Sequence, residues 1–272
     1  MSYQLITYKK NTMRNLFNNP LTEDELKDVA PSVFATGPSH KVSSKYTFIP
    51  TTQILEDLSK ESWLPYAASQ RNSKDSGGMY TKHMIRLRNE NLGKIDDIIP
   101  EIVLTNSHDG RNAFNLHAGL FRLVCSNGLV IADQTFEQFK IKHQWYDLEE
   151  VKEMTDNVIT KIPSIIKCVK TFKQTNLTDA SKKDFAKQAI LTRWKTGQEF
   201  LSLNDLLTPY RDEDSGNELW KVFNVLQEKI INGGVSYTLP QGRQQTVRAL
   251  TNIDQKLKVN KELWSLAEEY TN

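Results

Sequence analysis

Basic and apolar side chains alternate with a period of two from Lys82 to Asn89 and again from Phe139 to His143. That spacing sends successive residues to opposite faces of a β-sheet. In the first stretch Lys82, Met84, Arg86 and Arg88 share one side, and His83, Ile85 and Leu87 take the other. In the second, Phe139, Ile141 and His143 oppose Lys140 and Lys142. If both belong to one sheet, it has an apolar underside and a cationic top. The flanking pattern predicts further elements. Thr22 and Glu25 form a capping box for a short helix through Val29, which Pro31, Gly37 and Pro38 then break, so residues 1–40 read as an adaptable N-terminal arm. After a strand over Tyr46 to Ile49, Pro50 and Thr51 open a helix with Ile54, Leu55 and Leu58 on one face, ending before Trp63 and Pro65. Strand runs Tyr66 to Gln70, Tyr80 to Asn89 and Ile98 to Thr105 are separated by Ser76-Gly77-Gly78 and Asn91-Leu92-Gly93, the signature of an antiparallel meander.

From Asn112 the positions Phe114, Ala118, Phe121 and Cys125 are spaced by four, three and four, with Leu116, Leu120 and Leu123 beside them. This spacing predicts a buried helix, capped at Gly128. The alternative makes Ser126-Asn127-Gly128 a hairpin turn between two strands. A strand follows over Leu129 to Ala132. Beyond Tyr146 the texture is helical: Asp147 and Glu150 form a capping box, and an apolar stripe runs from Val151 through Met154, Val158, Ile162, Ile165 and Val169 to Phe172. Pro163 should kink or split that helix. Further helices are predicted over Asp179 to Lys195, Asn204 to Leu207, Asn217 to Ile231 with Gly233 and Gly234 as a stop, and Lys261 to Tyr270. Strands first and helices later argue an α+β fold. An antiparallel sheet with packed helices occupies residues 41–145, and a helical module 146–272.

Composition narrows the function. The 35 Lys plus Arg against 33 Asp plus Glu leave almost no net charge, so a polyanion site must arise from local clustering. Two widely spaced cysteines, Cys125 and Cys168, indicate neither a disulfide framework nor a zinc site, and no metal or other cofactor is expected. The segment MSYQLITYKKNTMR has no apolar core of signal-peptide length and no membrane-spanning run occurs, so a cytoplasmic protein with no membrane partner is expected.

The runs Asn106-Ser107-His108-Asp109-Gly110 and Ala118 to Leu129, then Leu219-Trp220-Lys221-Val222-Phe223-Asn224 with Gln227-Glu228 and Gly233-Gly234, resemble a family of phage- and plasmid-encoded proteins of unassigned function. That resemblance implies a mobile-element context. The order helix, Trp63, three strands, helix is also similar, more loosely, to the core of Rad52-like single-strand annealing proteins.

Binding a single strand needs cations for phosphates and planar groups on which bases stack. Lys82, Arg86, Arg88, Lys140 and Lys142 are the phosphate candidates on the expected sheet top. Arg71, Lys74, Arg111, Arg243 and Arg248 extend them, and Tyr80 and Trp145 are candidates for stacking. The competing reading makes the basic positions an ordinary solvated face. His108, Asp109 and Arg111 form the most polar cluster; a metal-dependent nuclease would use the first two, whereas a turn after a strand explains them structurally. No Walker loop, GxGxxG or GxSxG motif is present. The expectation is a non-enzymatic nucleic-acid-binding protein that favours single-stranded DNA, acts as a homo-oligomer and serves annealing in recombination. A protein that binds and disables a host defence component is the alternative.

Overall fold

Four strands form an antiparallel meander in the N-terminal half of the computed structural model: β1 (Trp63–Gln70), β2 (His83–Asn89), β3 (Ile98–Asn106) and β4 (Phe114–Arg122). The structure describes residues 19–71, 73, 75–122, 128–130, 140–141, 148–195, 201–239 and 241–271. The expected alternation in β2 is present, and the register places Arg86 opposite Val103 and Arg88 opposite Glu101. One face carries Ile85, Leu87, Ile102, Leu104, Leu116 and Leu120, all buried. Two short strands follow, β5 (Gly128–Val130) and β6 (Lys140–Ile141), the latter pairing Ile141 with Phe114 and Lys140 with Asn115.

The helix expected from Asn112 is instead the strand β4, and Ser126 and Asn127 of the alternative's turn lie outside the described residues. Its side chains are buried on both faces: Phe114, Leu116, Ala118 and Leu120 on one, His117 and Phe121 on the other. Phe114, Leu116, Ala118 and Leu120 do alternate with Asn115, His117 and Gly119, but Phe114, Ala118 and Phe121 also fit a helical spacing of four and three, and that match prevailed. The likeness to Rad52-type cores rested on three strands followed by a helix, and a fourth strand stands there instead. The expected strand at Tyr46 to Ile49 is also absent. Side chains hold that segment: Tyr46 donates its hydroxyl to Ser107 O (3.0 Å), and Asn106 Nδ2 donates to Ile49 O (3.2 Å).

The arm expected over residues 1–40 packs on the sheet unit from Leu21 onward. Helix α1 (Glu23–Val29) has the reciprocal Thr22–Glu25 capping box, and a short 3₁₀ turn, Pro31–Phe34, follows. Leu26, Ala30 and Val33 are buried, and Leu21 N–H donates to Pro65 O of edge strand β1 (2.7 Å). Burial of three apolar side chains offsets the ordering cost that a free arm would avoid. Helix α2 (Thr51–Lys60) buries Ile54 and Leu58 as predicted.

The described residues fall into two compact units, the second comprising chiefly Lys161 onward. The division between these units lies inside α3 (Leu148–Gln174), after Thr160. Helix α3 runs unbroken through Pro163, so the proline does not split it. Its capping-box residue Asp147 lies outside the described residues. In the second unit stand α4 (Asp179–Leu191), α5 (Leu203–Leu207), α6 (Leu219–Asn232) and α7 (Ile253–Glu269). Helix α7 begins eight residues before the predicted start, where Asn252 Oδ1 caps Gln255 N–H (3.1 Å). The core of this unit contains Phe172, Phe223 and Trp264, with ring centroids 5.0–6.2 Å apart. Sequence reading missed a hairpin of β7 (Ser236–Thr238) and β8 (Gln244–Thr246) after the Gly233-Gly234 stop. The molecule is α+β, with an antiparallel sheet and helices first and a helical half after it. Among the described residues no helix is long and apolar enough to cross a membrane.

Candidate nucleic-acid interface

The cationic side of β2 is not an open platform. Arg86 and Arg88 are 7% and 4% exposed, and fully buried Glu101 lies between them. Arg86 donates through Nε and Nη2 to Glu101 Oε2, and Arg88 Nε donates to Oε1 (2.9 Å). Arg86 Nη2 also donates to Leu120 O (3.3 Å), while the Arg88 guanidinium lies 3.9 Å from the Phe121 ring centroid and 4.7 Å from that of Tyr66. A buried guanidinium requires such compensation, because removing the charge from water is costly. Lys82 is buried too. The expectation that these three cations face solvent is corrected: their alternation is real, but β3 supplies a carboxylate from the same face and closes it.

The remaining N-terminal candidates are scattered. Tyr80 is half-buried, with its carbonyl accepting from His108 N–H (3.0 Å), and Arg111 is exposed in the β3–β4 turn. Lys140 lies on β6, whereas Lys74, Lys142, His143 and Trp145 lie outside the described residues. Asp109 is committed to the turn, its Oδ1 accepting from Ser107 Oγ (2.9 Å) and Arg111 N–H (3.1 Å). His108 is fully buried beside His83, with ring centroids 5.4 Å apart. His83 pairs through Nδ1 with Ser32 Oγ (2.9 Å) and through Nε2 with Thr51 Oγ1 (3.0 Å). Burial, then the charge His108 can carry, pull the His83 pKa down to about 3, so its imidazole is neutral. This network joins the arm, α2 and β2 from inside, and it gives His108 and Asp109 no shared open face. Among the described residues no three His, Cys, Asp or Glu side chains converge to hold a metal.

Two of the expected cations do come together, in the second unit. Arg243 and Arg248 flank β8, and both line an open groove of about 580 Å³ with Arg193, Trp194, Tyr237 and Gln245. Among the described residues no side chain lining it carries a carboxylate. Among the described residues neither Arg243 nor Arg248, both exposed, has an acidic group within ion-pair distance. The local structure explains the convergence. Gly233 ends α6 at φ +74°, and the chain crosses so near Val247 that a Cβ there would lie 2.3 Å from the Val247 carbonyl oxygen. Glycine alone fits this crossing. Hydrogen bonds from Gly234 N–H to Val247 O (2.9 Å) and from Val247 N–H to Val235 O (2.8 Å) then fix the hairpin. Tyr237 opposes Gln245 and donates its hydroxyl to Gln245 Oε1 (2.6 Å).

The other wall is the exit of α4. Arg193 donates from Nη1 to Ile230 O in the last turn of α6 and from Nη2 to Arg248 O (2.6 Å), and its guanidinium lies 4.5 Å from the Trp194 ring centroid. A cation at a helix C-terminus meets the negative end of the helix dipole. Desolvation lowers the Arg193 pKa below the ordinary arginine value, and the group stays charged at neutral pH. Sequence reading missed Arg193, Trp194 and Tyr237. The available signal was the Arg-Trp pair closing the predicted helix over Asp179 to Lys195.

Comparison with known proteins places the whole chain in context. It is 34% identical over 253 residues to two proteins of Escherichia coli (strain K12), UPF0380 protein YafZ and UPF0380 protein YfjQ, covering 92% of this chain and 92% of each relative. No solved structure matches. The model of the domain of unknown function DUF932 matches residues 38–264, which take in both the sheet and the arginine-lined groove, and the chain belongs to that family.

Proposed function

We propose that the protein binds nucleic acid, with single-stranded DNA favoured, through the groove between the α4 exit and the β7–β8 hairpin, in a mobile-element setting. The observation that supports this reading is the grouping of Arg193, Arg243 and Arg248 with Trp194 and Tyr237 in a groove that has no carboxylate among its described lining residues. A net charge of +2 gives little long-range attraction, so a cluster of this kind is what a polyanion would find. Guanidinium groups suit phosphate because their planar donor fork matches its oxygens. Arg243 and Arg248 supply that contact. Arg193 adds charge to the wall while its donors hold two carbonyls.

Filter binding of a labelled single-stranded oligonucleotide at about 50 mM salt tests the reading. The full chain retains the strand, and the double variant Arg243→Ala, Arg248→Ala loses about tenfold or more in affinity. No retention by the unaltered chain, or equal retention by the variant, would overturn it.

A further inference from the structure

We infer that Trp194 is a preformed base-stacking platform, so that the groove selects strands whose bases are unpaired and not merely their phosphates. This rests on the nucleic-acid reading above and adds a requirement which that reading does not contain. Among the described residues, Trp63, Trp220 and Trp264 are 0%, 3% and 1% exposed and belong to cores. Trp194 is half-buried and lines the groove. Its backbone is tied to α4 by the bond from its N–H to Ile190 O (3.0 Å), and the Arg193 guanidinium lies over its ring. That guanidinium is itself held by Ile230 O and Arg248 O, from two separate segments. The indole is therefore positioned by its neighbour before a ligand arrives, which lowers the ordering cost of binding.

Chemistry then selects the occupant. An indole face offers a polarizable surface to any nucleobase, and a base enclosed in a duplex cannot reach it. Arg243 and Arg248 stand on the same groove and take the phosphates on either side of the stacked base. Tyr237, its hydroxyl already committed to Gln245, keeps its ring at the opposite wall. A polyanion lacking bases would satisfy the arginines and leave the indole unused.

The experiment compares three labelled ligands on the full chain by fluorescence anisotropy at one ionic strength: a single strand of about 12 nucleotides, an abasic deoxyribose-phosphate strand of equal length, and the matching duplex. The base-bearing strand binds about 5- to 150-fold more tightly than the abasic one, and Trp194→Ala removes that advantage while leaving abasic binding in place. Trp194→Phe keeps most of it. Equal binding of base-bearing and abasic strands overturns the inference while leaving phosphate binding standing. So does a duplex that binds as tightly as the single strand, or a Trp194→Ala variant that weakens both strands alike. Failure of every ligand to bind removes the groove reading itself, and the stacking platform with it.

Discussion

Glu101 is fully buried and holds Arg86 and Arg88 at once, so its carboxylate governs what both guanidiniums can do. Replacing it by glutamine leaves two buried cations without their countercharge, and Glu101→Gln should destabilise the protein by about 3–5 kcal/mol, read from the denaturant midpoint. A loss below about 1 kcal/mol would mean that these arginines are solvated after all. His83 makes a pH prediction. Its pKa falls from 6.5 in the unfolded chain to about 3 in the fold, so the unfolded chain takes up a proton as pH drops below 6.5 while the native state does not. Its contribution is complete above about pH 6.5 and is lost progressively towards pH 3, at about 1.4 kcal/mol per pH unit. Stability at pH 5 against pH 7.5 should therefore fall less in His83→Gln than in the unaltered chain; equal falls would contradict the assignment. At this scale the sequence announced which residues alternate on β2, and not which would be wet. Period two is local, whereas the neutralising carboxylate comes from the next strand.

Gly233 shows what an element junction demands. With φ at +74° and the Val247 carbonyl oxygen 2.3 Å from where a Cβ would sit, Gly233→Ala must move the β7–β8 hairpin away from the end of α6. The expected cost is about 1–3 kcal/mol in thermal or chemical unfolding, with faster amide exchange at Gly234 and Val247, whose N–H groups hold the crossing. Unchanged exchange at both amides would show that the crossing tolerates a side chain. Elements with one wet face were legible: the capped α1, and α2 with Ile54 and Leu58 inward. Helix α6 is buried nearly all round and was legible through its length and its glycine stop, whereas shorter elements without a wet face were not. Strand β4 adds Phe121 to its alternating apolar positions and so fitted a helical spacing as well, and the β7–β8 hairpin is too short and polar to leave a periodic trace. The groove was half legible for the same reason. Arg243 and Arg248 stood out as loop cations, but the partners that make them a site arrive from α4 and β7, distant in sequence.

At the scale of the whole molecule, nearly balanced charge makes local geometry decide any encounter with a polyanion. The sheet unit confines its most conspicuous cations in a buried network, and the helical unit leaves Arg243 and Arg248 exposed on a wall that has no carboxylate among the described residues. The DUF932 match takes in both regions. The most direct test is the salt dependence of single-strand binding, since each phosphate neutralised on a single strand contributes about 0.7 to the slope of log affinity against log salt. The account predicts that Arg243→Ala with Arg248→Ala reduces that slope by about 1.4, while Lys82→Ala leaves it unaltered. A slope unchanged by the double variant, or one that Lys82→Ala lowers instead, would contradict it.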